Sequence, residues 1–243
     1  MRGSGHRLDV DVTGLSVEQA SSALQFSGWA HVGSGDLAIA FADPTDTWCV
    51  RLTPFDPAYQ LFADDVLAGP PNRWLPRMVE ILSLAGEGYA IVMERLWSAD
   101  QASAQGFCDA LGLPSPNDDE VASAIDFADA TDPDFVALRR RIEGVLARGA
   151  SRYPRLWGGS DVRAGNVMAD AVGALKLVDP AFLAGRMISD ALRAGQPGPL
   201  AELTRAQLEA FLTLPCFHRV VDRYEGVEEL RACLDRIALD RLE

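Results

Sequence analysis

The sequence has few of the residues that bind zinc or form disulfides. Its four cysteines are scattered without a Cys-x-x-Cys pair, and its three histidines lie far apart along the chain. Zinc sites need clustered thiolate and imidazole ligands, and disulfide frameworks need regularly spaced cysteines. The pattern therefore argues against both, and it predicts reduced cysteines that serve as small, partly buried apolar residues.

Long apolar runs and an excess of positive charge are also missing. No apolar run approaches the length of a membrane span, and no charged-then-apolar leader is present, so we expect a soluble cytoplasmic protein with no membrane partner. An effector exported by another signal would share these features. The net charge is −13, from 22 basic and 35 acidic residues. Because sequence-independent nucleic-acid binding depends on basic patches, we expect no nucleic-acid partner.

A serine hydrolase is equally unsupported, since the sequence has no Gly-x-Ser-x-Gly elbow and no histidine near a candidate serine. The chain has 243 residues, of which 48% are hydrophobic and 23% charged, an ordinary globular composition. That length is enough to bury a sizeable core, and it suits one bilobal unit better than two independent domains.

The most informative stretch reads GSDVRAGNVM over residues 159–168 and ALKLVDP over residues 174–180. It places Asp161, then Asn166 five residues later, then Asp179 at the end of an apolar, strand-like run. Phosphoryl transfer needs a group that orients the acceptor hydroxyl and oxygen ligands that hold Mg²⁺ on the phosphates. The spacing is similar to that of kinase catalytic loops, and this resemblance implies Asp161 as the base and Asn166 and Asp179 as the metal ligands.

This stretch resembles the His-Gly-Asp-x-x-x-x-Asn loop of aminoglycoside phosphotransferase-like enzymes, a branch of the protein-kinase-like superfamily. Gly159 departs from that pattern, because the family usually has there a His that braces the loop. The resemblance implies an α+β, bilobal kinase-like fold, with a small β-rich N-lobe over residues 1–94 and a mostly helical C-lobe over residues 95–243. It also implies ATP and Mg as cofactors and a hydroxyl of a small molecule or protein as the phosphoryl acceptor.

The resemblance assigns two upstream segments to the nucleotide. Gly33, Ser34 and Gly35 form a glycine-rich turn that enters a strand, and they are expected to cover the phosphates, since glycine permits close approach and positive φ. Arg51 lies in the strand-like run over residues 47–52, where the family has a phosphate-binding Lys. A guanidinium and an ammonium are not interchangeable at a phosphate, so this departure bears on activity.

The next segments complete the predicted nucleotide site. The helix predicted over residues 57–68 carries Asp65 where the family has Glu, and we expect Asp65 to pair with Arg51. Strands are predicted on both sides of a glycine-containing turn at residues 85–88. By the resemblance, the main chain around Glu94 and Leu96 contacts the adenine base.

Other patterns predict elements without assigning them chemistry. A capping box at Ser16 opens a short helix that ends near Phe26, and an apolar stripe after Asp132 predicts a helix of the larger lobe. Three further helices are predicted over residues 187–194, 204–214 and 226–242. The arginines at 139–141 are interpreted as a solvated face, and the first ten residues are expected to be partly disordered.

Two alternatives stay open. A pseudokinase that binds a nucleotide or a partner without turnover is favoured by Arg51 and Gly159. In an α+β protein unrelated to kinases, Asp161 would begin a turn that Asn166 caps, and Asp179-Pro180 would be an ordinary strand-end turn. The acceptor is not identified by any residue pattern, although the acidity permits a cationic one such as an aminoglycoside.

Overall fold

The structure, a computed structural model, describes residues 8–113, 131–218 and 221–237. It combines α-helices with antiparallel strands, so the predicted α+β class is confirmed. The helices are α1 (Val17–Phe26), α2 (Pro57–Ala68), α3 (Gln101–Leu111), α4 (Pro133–Arg152), α5 (Gly185–Arg193), α6 (Pro197–Leu200), α7 (Arg205–Phe211), α8 (Pro215–His218) and α9 (Val221–Ile237). The strands are β1 (Ala30–Ser34), β2 (Ile39–Ala42), β3 (Trp48–Thr53), β4 (Met78–Ser83), β5 (Tyr89–Glu94), β6 (Trp97–Ser98), β7 (Trp157–Ser160), β8 (Val167–Ala169), β9 (Leu175–Leu177) and β10 (Ala181–Leu183).

Two compact units make up the chain. Unit 1 comprises Met1–Asp56, Val79–Val92 and Ala184–Glu243, and unit 2 comprises Pro57–Met78 and Met93–Leu183. The chain thus passes between the units several times, and β4 and β5 each contribute residues to both. The predicted lobes over residues 1–94 and 95–243 stay a prediction.

Unit 1 is built on a five-stranded sheet in the order β1-β2-β3-β5-β4, with β1–β2 and β2–β3 antiparallel. Helix α1 begins at the predicted capping box, in which the Ser16 hydroxyl accepts from the Gln19 N–H and the Gln19 side chain accepts from the Ser16 N–H. Its buried residues Ala20 and Leu24 join Trp29 and residues of the sheet in one apolar core. The predicted short helix is therefore confirmed.

Unit 2 depends on the long helix α4. Asp132 caps its N-terminus with Pro133 in the first turn, and its buried positions follow the spacing that predicts this helix. Those buried positions are Phe135, Leu138, Ile142, Val145 and Gly149. The rings of Trp74, Phe107 and Phe135 pack edge-on or tilted within 5.8 Å of one another, which ties α3 and the segment after α2 to α4.

Unit 2 also contains two small antiparallel sheets, and these position the candidate site. Strand β7 pairs with β10, so that Ser160 lies opposite Ala181. Strand β8 pairs with both β6 and β9, and Val167 lies opposite Leu177. Strand β9 is only three residues long, so its position depends on hydrogen bonds on either side of it.

Helix α3 has no counterpart among the predicted helices, although its caps are visible in the sequence. The Asp100 carboxylate accepts from the Ser103 N–H at its start, and Gly112 ends it in the left-handed region with φ +60°. Its Cys108 is buried, and burial raises the pKa of that thiol to about 12, so it is unreactive at neutral pH.

Over the three described ranges, no helix has both the length and the apolar character needed to cross a bilayer. Residues 1–7 of the segment that we expect to be partly disordered lie outside the described residues. At the end of that segment, the partly buried side chains of Leu8 and Val10 pack against the apolar core of unit 1. Positions 8 and 10 therefore belong to the fold of that unit.

Two glycines of α4 provide a matched test of its packing. A Cβ at Gly149 would overlap the Trp157 ring, whereas a Cβ at Gly144 would meet only the Arg148 guanidinium at 3.5 Å. We expect Gly149→Ala to destabilise the protein by about 2 kcal/mol through overpacking, and Gly144→Ala to stabilise it by up to about 1 kcal/mol through helix propensity. Urea unfolding measures both, and equal effects would contradict this packing.

Candidate functional site

Two backbone hydrogen bonds bring Asp161, Asn166 and Asp179 to one place in unit 2. The Asp161 N–H donates to the Pro180 carbonyl at 2.8 Å, continuing the β7–β10 ladder. The Val178 N–H donates to the Asn166 carbonyl at 2.9 Å, continuing the β8–β9 ladder. Asp179 lies between Val178 and Pro180, so the backbone on each side of it is bonded to one of the other two residues.

The side chains of Asp161 and Asn166 are bonded directly to each other. The buried Asn166 amide nitrogen donates to the Asp161 carbonyl at 2.7 Å and to its Oδ2 at 2.8 Å. This arrangement uses the nitrogen of the amide, and it leaves the amide oxygen as the atom that can bind a cation. The Asn166 side chain thus closes the loop onto Asp161 through both the main chain and the carboxylate of that residue.

Arg163 completes the group and is not among the residues singled out from the sequence. Its Nε donates to Asp161 Oδ1 at 3.0 Å, while its side chain is 54% exposed. Both oxygens of Asp161 thus accept one hydrogen bond each, from Arg163 and Asn166, which fixes the plane of the carboxylate. The sequence signal that could have identified Arg163 is its position as a cation two residues after the predicted base, Asp161.

The donor set fits Mg²⁺. Magnesium in phosphoryl-transfer sites is held by one or two carboxylates together with substrate phosphates and waters, and not by a full protein cage. Asp179 supplies a half-buried carboxylate, and Asn166 supplies an amide oxygen. Within residues 8–113, 131–218 and 221–237, no group of three His, Cys, Asp or Glu side chains is placed to hold a metal ion.

The backbone at Gly159 adopts a conformation that favours glycine. Its φ is +97°, a conformation that strains any residue with a side chain, and a Cβ there would meet nothing within 4 Å. A His at this position would be disfavoured by the backbone and not by a lack of room. Instead, the buried Ser160 hydroxyl accepts from the Val162 N–H at 3.3 Å and supports the start of the loop.

The predicted pair of Arg51 with Asp65 is wrong. Arg51 Nη2 lies 2.7 Å from Asp56 Oδ2, and both side chains are largely buried within unit 1. Asp56 follows Arg51 by only five residues, so the chain brings the two charges together locally without a long-range contact. Arg51 keeps its predicted place on β3, and its contact with phosphate stays a prediction.

Asp65 instead joins α2 to α4. Its carboxylate lies 2.9 Å from Arg141 Nε and 2.7 Å from Arg148 Nη2. The two arginines are seven residues apart, which places them on one face of α4 two turns from each other. Arg139 and Arg140 are exposed as predicted, but Arg141 is not part of a solvated face, since it also donates to the Pro70 carbonyl at 2.7 Å.

The glycine-rich turn lies between β1 and β2, as the sequence predicts. The Gly35 N–H donates to the Ala38 carbonyl at 2.8 Å and closes the turn after Ser34. Neither Gly33 nor Gly35 has a positive φ, so the turn does not use the left-handed conformation that glycine permits. A Cβ at Gly33 would meet nothing within 4 Å, so its surroundings are open.

Two contacts within unit 1 fasten this turn. The Asp36 carbonyl accepts from the Cys216 N–H at 3.0 Å, and the Leu37 carbonyl accepts from the Thr53 hydroxyl at 2.6 Å. The turn is therefore bonded to the start of α8 and to the end of β3. The glycine-rich turn is therefore attached to the rest of unit 1 by more than strands β1 and β2.

The segment around Glu94 and Leu96 lies at the end of β5. The Glu94 N–H donates to the Arg77 carbonyl at 2.9 Å, and its carboxylate accepts from the Arg77 N–H at 2.8 Å. The Leu96 side chain is buried, and its carbonyl accepts from the Arg95 guanidinium at 2.7 Å. The segment is ordered by these bonds, and its contact with a base stays a prediction.

Similarity to solved structures extends over most of the chain at low identity. The aminoglycoside phosphotransferase APH(3'')-Id from Streptomyces rimosus is 13% identical, with 90% of this chain and 99% of that chain covered and a TM-score of 0.36. The aminoglycoside phosphotransferase APH(4)-Ia is 10% identical, with 92% and 99% covered and a TM-score of 0.33. A thermostable mutant of that enzyme, in a ternary complex with AMP-PNP and hygromycin B, is 10% identical over 87% and 93%, with a TM-score of 0.32.

No family model matches the sequence, and no curated protein matches it.

The Asp65 contacts predict a structural role for that side chain. We expect Asp65→Ala to destabilise the protein by about 2–3 kcal/mol, because it leaves the largely buried Arg141 without its carboxylate. The control is Glu143→Ala on α4, which removes a pair with Arg139 whose side chains are both 49% exposed. That change should cost about 0.5 kcal/mol or less in urea unfolding. A similar loss in both variants would count against the α2–α4 ion pairs.

Proposed function

We propose that this protein is an ATP- and Mg²⁺-dependent phosphotransferase that moves a γ-phosphoryl group to a hydroxyl. The observation that supports this function best is the pair of backbone hydrogen bonds that joins the chain on both sides of Asp179 to Asp161 and Asn166. Phosphoryl transfer requires a base and oxygen ligands for Mg²⁺ close together, and these backbone bonds bring the three residues near one another. An ordinary strand-end turn does not require them.

Asp161 is the proposed base. Each of its carboxylate oxygens accepts one hydrogen bond, from Arg163 or from Asn166, and each retains a second lone pair. One of these lone pairs can accept the proton of the acceptor hydroxyl as the bond to phosphorus forms. The two existing hydrogen bonds keep the carboxylate from rotating, so the base is oriented before the substrate binds.

Asn166 and Asp179 are the proposed metal ligands, through the Asn166 amide oxygen and the Asp179 carboxylate. Bound Mg²⁺ supplies positive charge that neutralises the phosphate oxygens during transfer. The protein's part is to hold the two ligands at a fixed separation, and the bond from the Val178 N–H to the Asn166 carbonyl serves that purpose.

Arg163 is the proposed source of a second positive charge. Its Nε is bonded to Asp161, and its side chain is 54% exposed. A cation beside the base can stabilise the negative charge that spreads over the transferring group. The nucleotide contacts of Gly33, Ser34, Gly35, Arg51, Glu94 and Leu96 belong to the same proposal.

A pseudokinase is the second candidate, and the Arg51–Asp56 ion pair favours it. The cation that the resemblance assigns to the phosphates is already paired, at 2.7 Å, with a carboxylate that is almost fully buried. Freeing Arg51 would leave a buried charge uncompensated. A protein with this pair could bind a nucleotide through Asp179 and the metal while turning it over slowly or not at all.

The acceptor class to examine first is a cationic small molecule. The net charge of −13 raises the local concentration of polycations near the surface. Aminoglycosides carry several amines and several hydroxyls, and hygromycin B is bound by one of the similar enzymes. A screen for label transfer from γ-labelled ATP should therefore include aminoglycosides, other hydroxylated metabolites and proteins.

Asp179→Asn tests the metal site. We expect this variant to lose Mg²⁺-dependent ATP binding, because a neutral amide replaces the charged ligand. Thermal shifts with ATP alone, Mg²⁺ alone and both together measure the loss. The control, Asp190→Asn, changes an exposed carboxylate on α5 and should behave like the unaltered protein. Unchanged Mg²⁺-dependent binding in Asp179→Asn would remove Asp179 from the site.

Asp161→Asn separates enzyme from scaffold. We expect this variant to bind Mg²⁺ and ATP as the unaltered protein does. Its rate of γ-phosphate consumption should fall by at least about a hundredfold, since an amide cannot accept the proton. Phosphate release with and without an acceptor measures the rate. Equal rates in the two proteins would rule out Asp161 as the base, and binding without turnover in the unaltered protein would indicate a pseudokinase.

A further inference from the structure

The chain contains a single lysine, Lys176, and all of its other 21 basic residues are arginines. Lys176 lies on β9, three residues before Asp179, and only 9% of it is exposed. A buried ammonium is costly unless hydrogen bonds and opposite charges surround it. The contacts of the Lys176 ammonium therefore indicate its role in the structure.

Lys176 joins three segments of unit 2. Its Nζ donates to the Arg73 carbonyl at 2.8 Å. The same nitrogen lies 3.6 Å from Asp170 Oδ2, in the β8–β9 turn, and 3.8 Å from Glu94 Oε1, at the end of β5. An ammonium is a compact charge, and here it donates one hydrogen bond to a carbonyl and lies within ion-pair distance of two carboxylates. The planar fork of a guanidinium does not match that arrangement.

Strand β9 thereby connects two parts of the proposed site. On one side, the Val178 N–H is bonded to the Asn166 carbonyl, which holds the chain next to Asp179. On the other, Lys176 approaches the Glu94 carboxylate, which also accepts from the Arg77 N–H. The contact with Glu94 is made by the Lys176 side chain and the contact next to Asp179 by backbone atoms, so each part is held by its own contact.

We propose that Lys176 is a positioning residue that fixes the Glu94–Leu96 segment for binding the nucleotide base. This inference rests on the proposed function, because it assigns that segment to the base and Asp179 to the metal and phosphates. Lys176 acts on the base contact through Glu94 and touches no substrate itself. Its loss should therefore affect the recognition of the base and leave the binding of the phosphates unchanged.

Two ligands separate these effects: ATP with Mg²⁺, which has a base, and inorganic triphosphate with Mg²⁺, which has none. We expect Lys176→Met to weaken ATP binding about tenfold, by the loss of a charge-assisted contact, while triphosphate binding changes by less than about twofold. Titration calorimetry measures both affinities. The control Arg186→Met removes one positive charge from a side chain that is 93% exposed, and it should change neither affinity.

Lys176→Arg keeps the positive charge, and it is the variant to test if Lys176→Met does not fold. We expect it to lower the ratio of ATP affinity to triphosphate affinity in the same direction, because its donors are placed differently. A folded Lys176 variant that keeps the ratio of the unaltered protein, whatever its loss of thermal stability, overturns the role of Lys176 alone. An unaltered protein that binds neither ligand overturns the proposed function and this inference together.

The unaltered protein offers an independent measurement. Because Lys176 is the sole lysine, a chain labelled with ¹⁵N-lysine gives one side-chain ammonium signal in NMR. We expect that signal to shift when ATP and Mg²⁺ bind and to stay in place with inorganic triphosphate and Mg²⁺. A signal that moves equally with both ligands, or with neither while both bind, contradicts a role in base recognition.

Discussion

The hydrogen bond from the Val178 N–H to the Asn166 carbonyl is the contact on which the candidate site depends most, together with the bond from the Asp161 N–H to the Pro180 carbonyl. Each extends a short antiparallel ladder by one residue, and between them they leave Asp179 no independent position. The strands involved are only three or four residues long. The ladders therefore hold the site through a few backbone bonds and not through a large sheet, and the Asn166 side chain adds its bonds to Asp161 at the same point.

Charge is organised locally around this frame. In this acidic chain, several arginines form ion pairs with its own carboxylates: Arg51 with Asp56, Arg141 and Arg148 with Asp65, and Arg163 with Asp161. These pairs differ in what they can do. The Arg51–Asp56 pair spans only five residues, so the local chain brings its charges together. Asp65 instead joins two helices. The half-exposed Arg163 retains donors beyond its bond to Asp161. The burial of each pair, more than the number of pairs, decides its contribution to stability.

The glycines show how far residue identity can mislead. Gly33 and Gly35 permit a positive φ, yet neither has it, while Gly159 has φ +97°. A glycine in a sequence permits such a conformation without requiring it. Whether it is adopted depends on the strands on either side, and at Gly159 these are the residues of β7, whose pairing with β10 sets the direction of the chain into the loop.

The sequence by itself determined the elements whose signals are local. The capping box at Ser16, the span of α2 and the apolar stripe of α4 follow from spacing and caps within a few residues of each other, and the structure agrees with them. The short distance from Asp161 to Asn166 likewise let the loop be recognised. Partners that are distant in sequence could not be predicted, because many carboxylates lie within reach of a given cation once the chain folds. Only the tertiary structure decided that Asp65 pairs with α4, that the glycine-rich turn is bonded to α8, and that one buried lysine links the strand before Asp179 to Glu94.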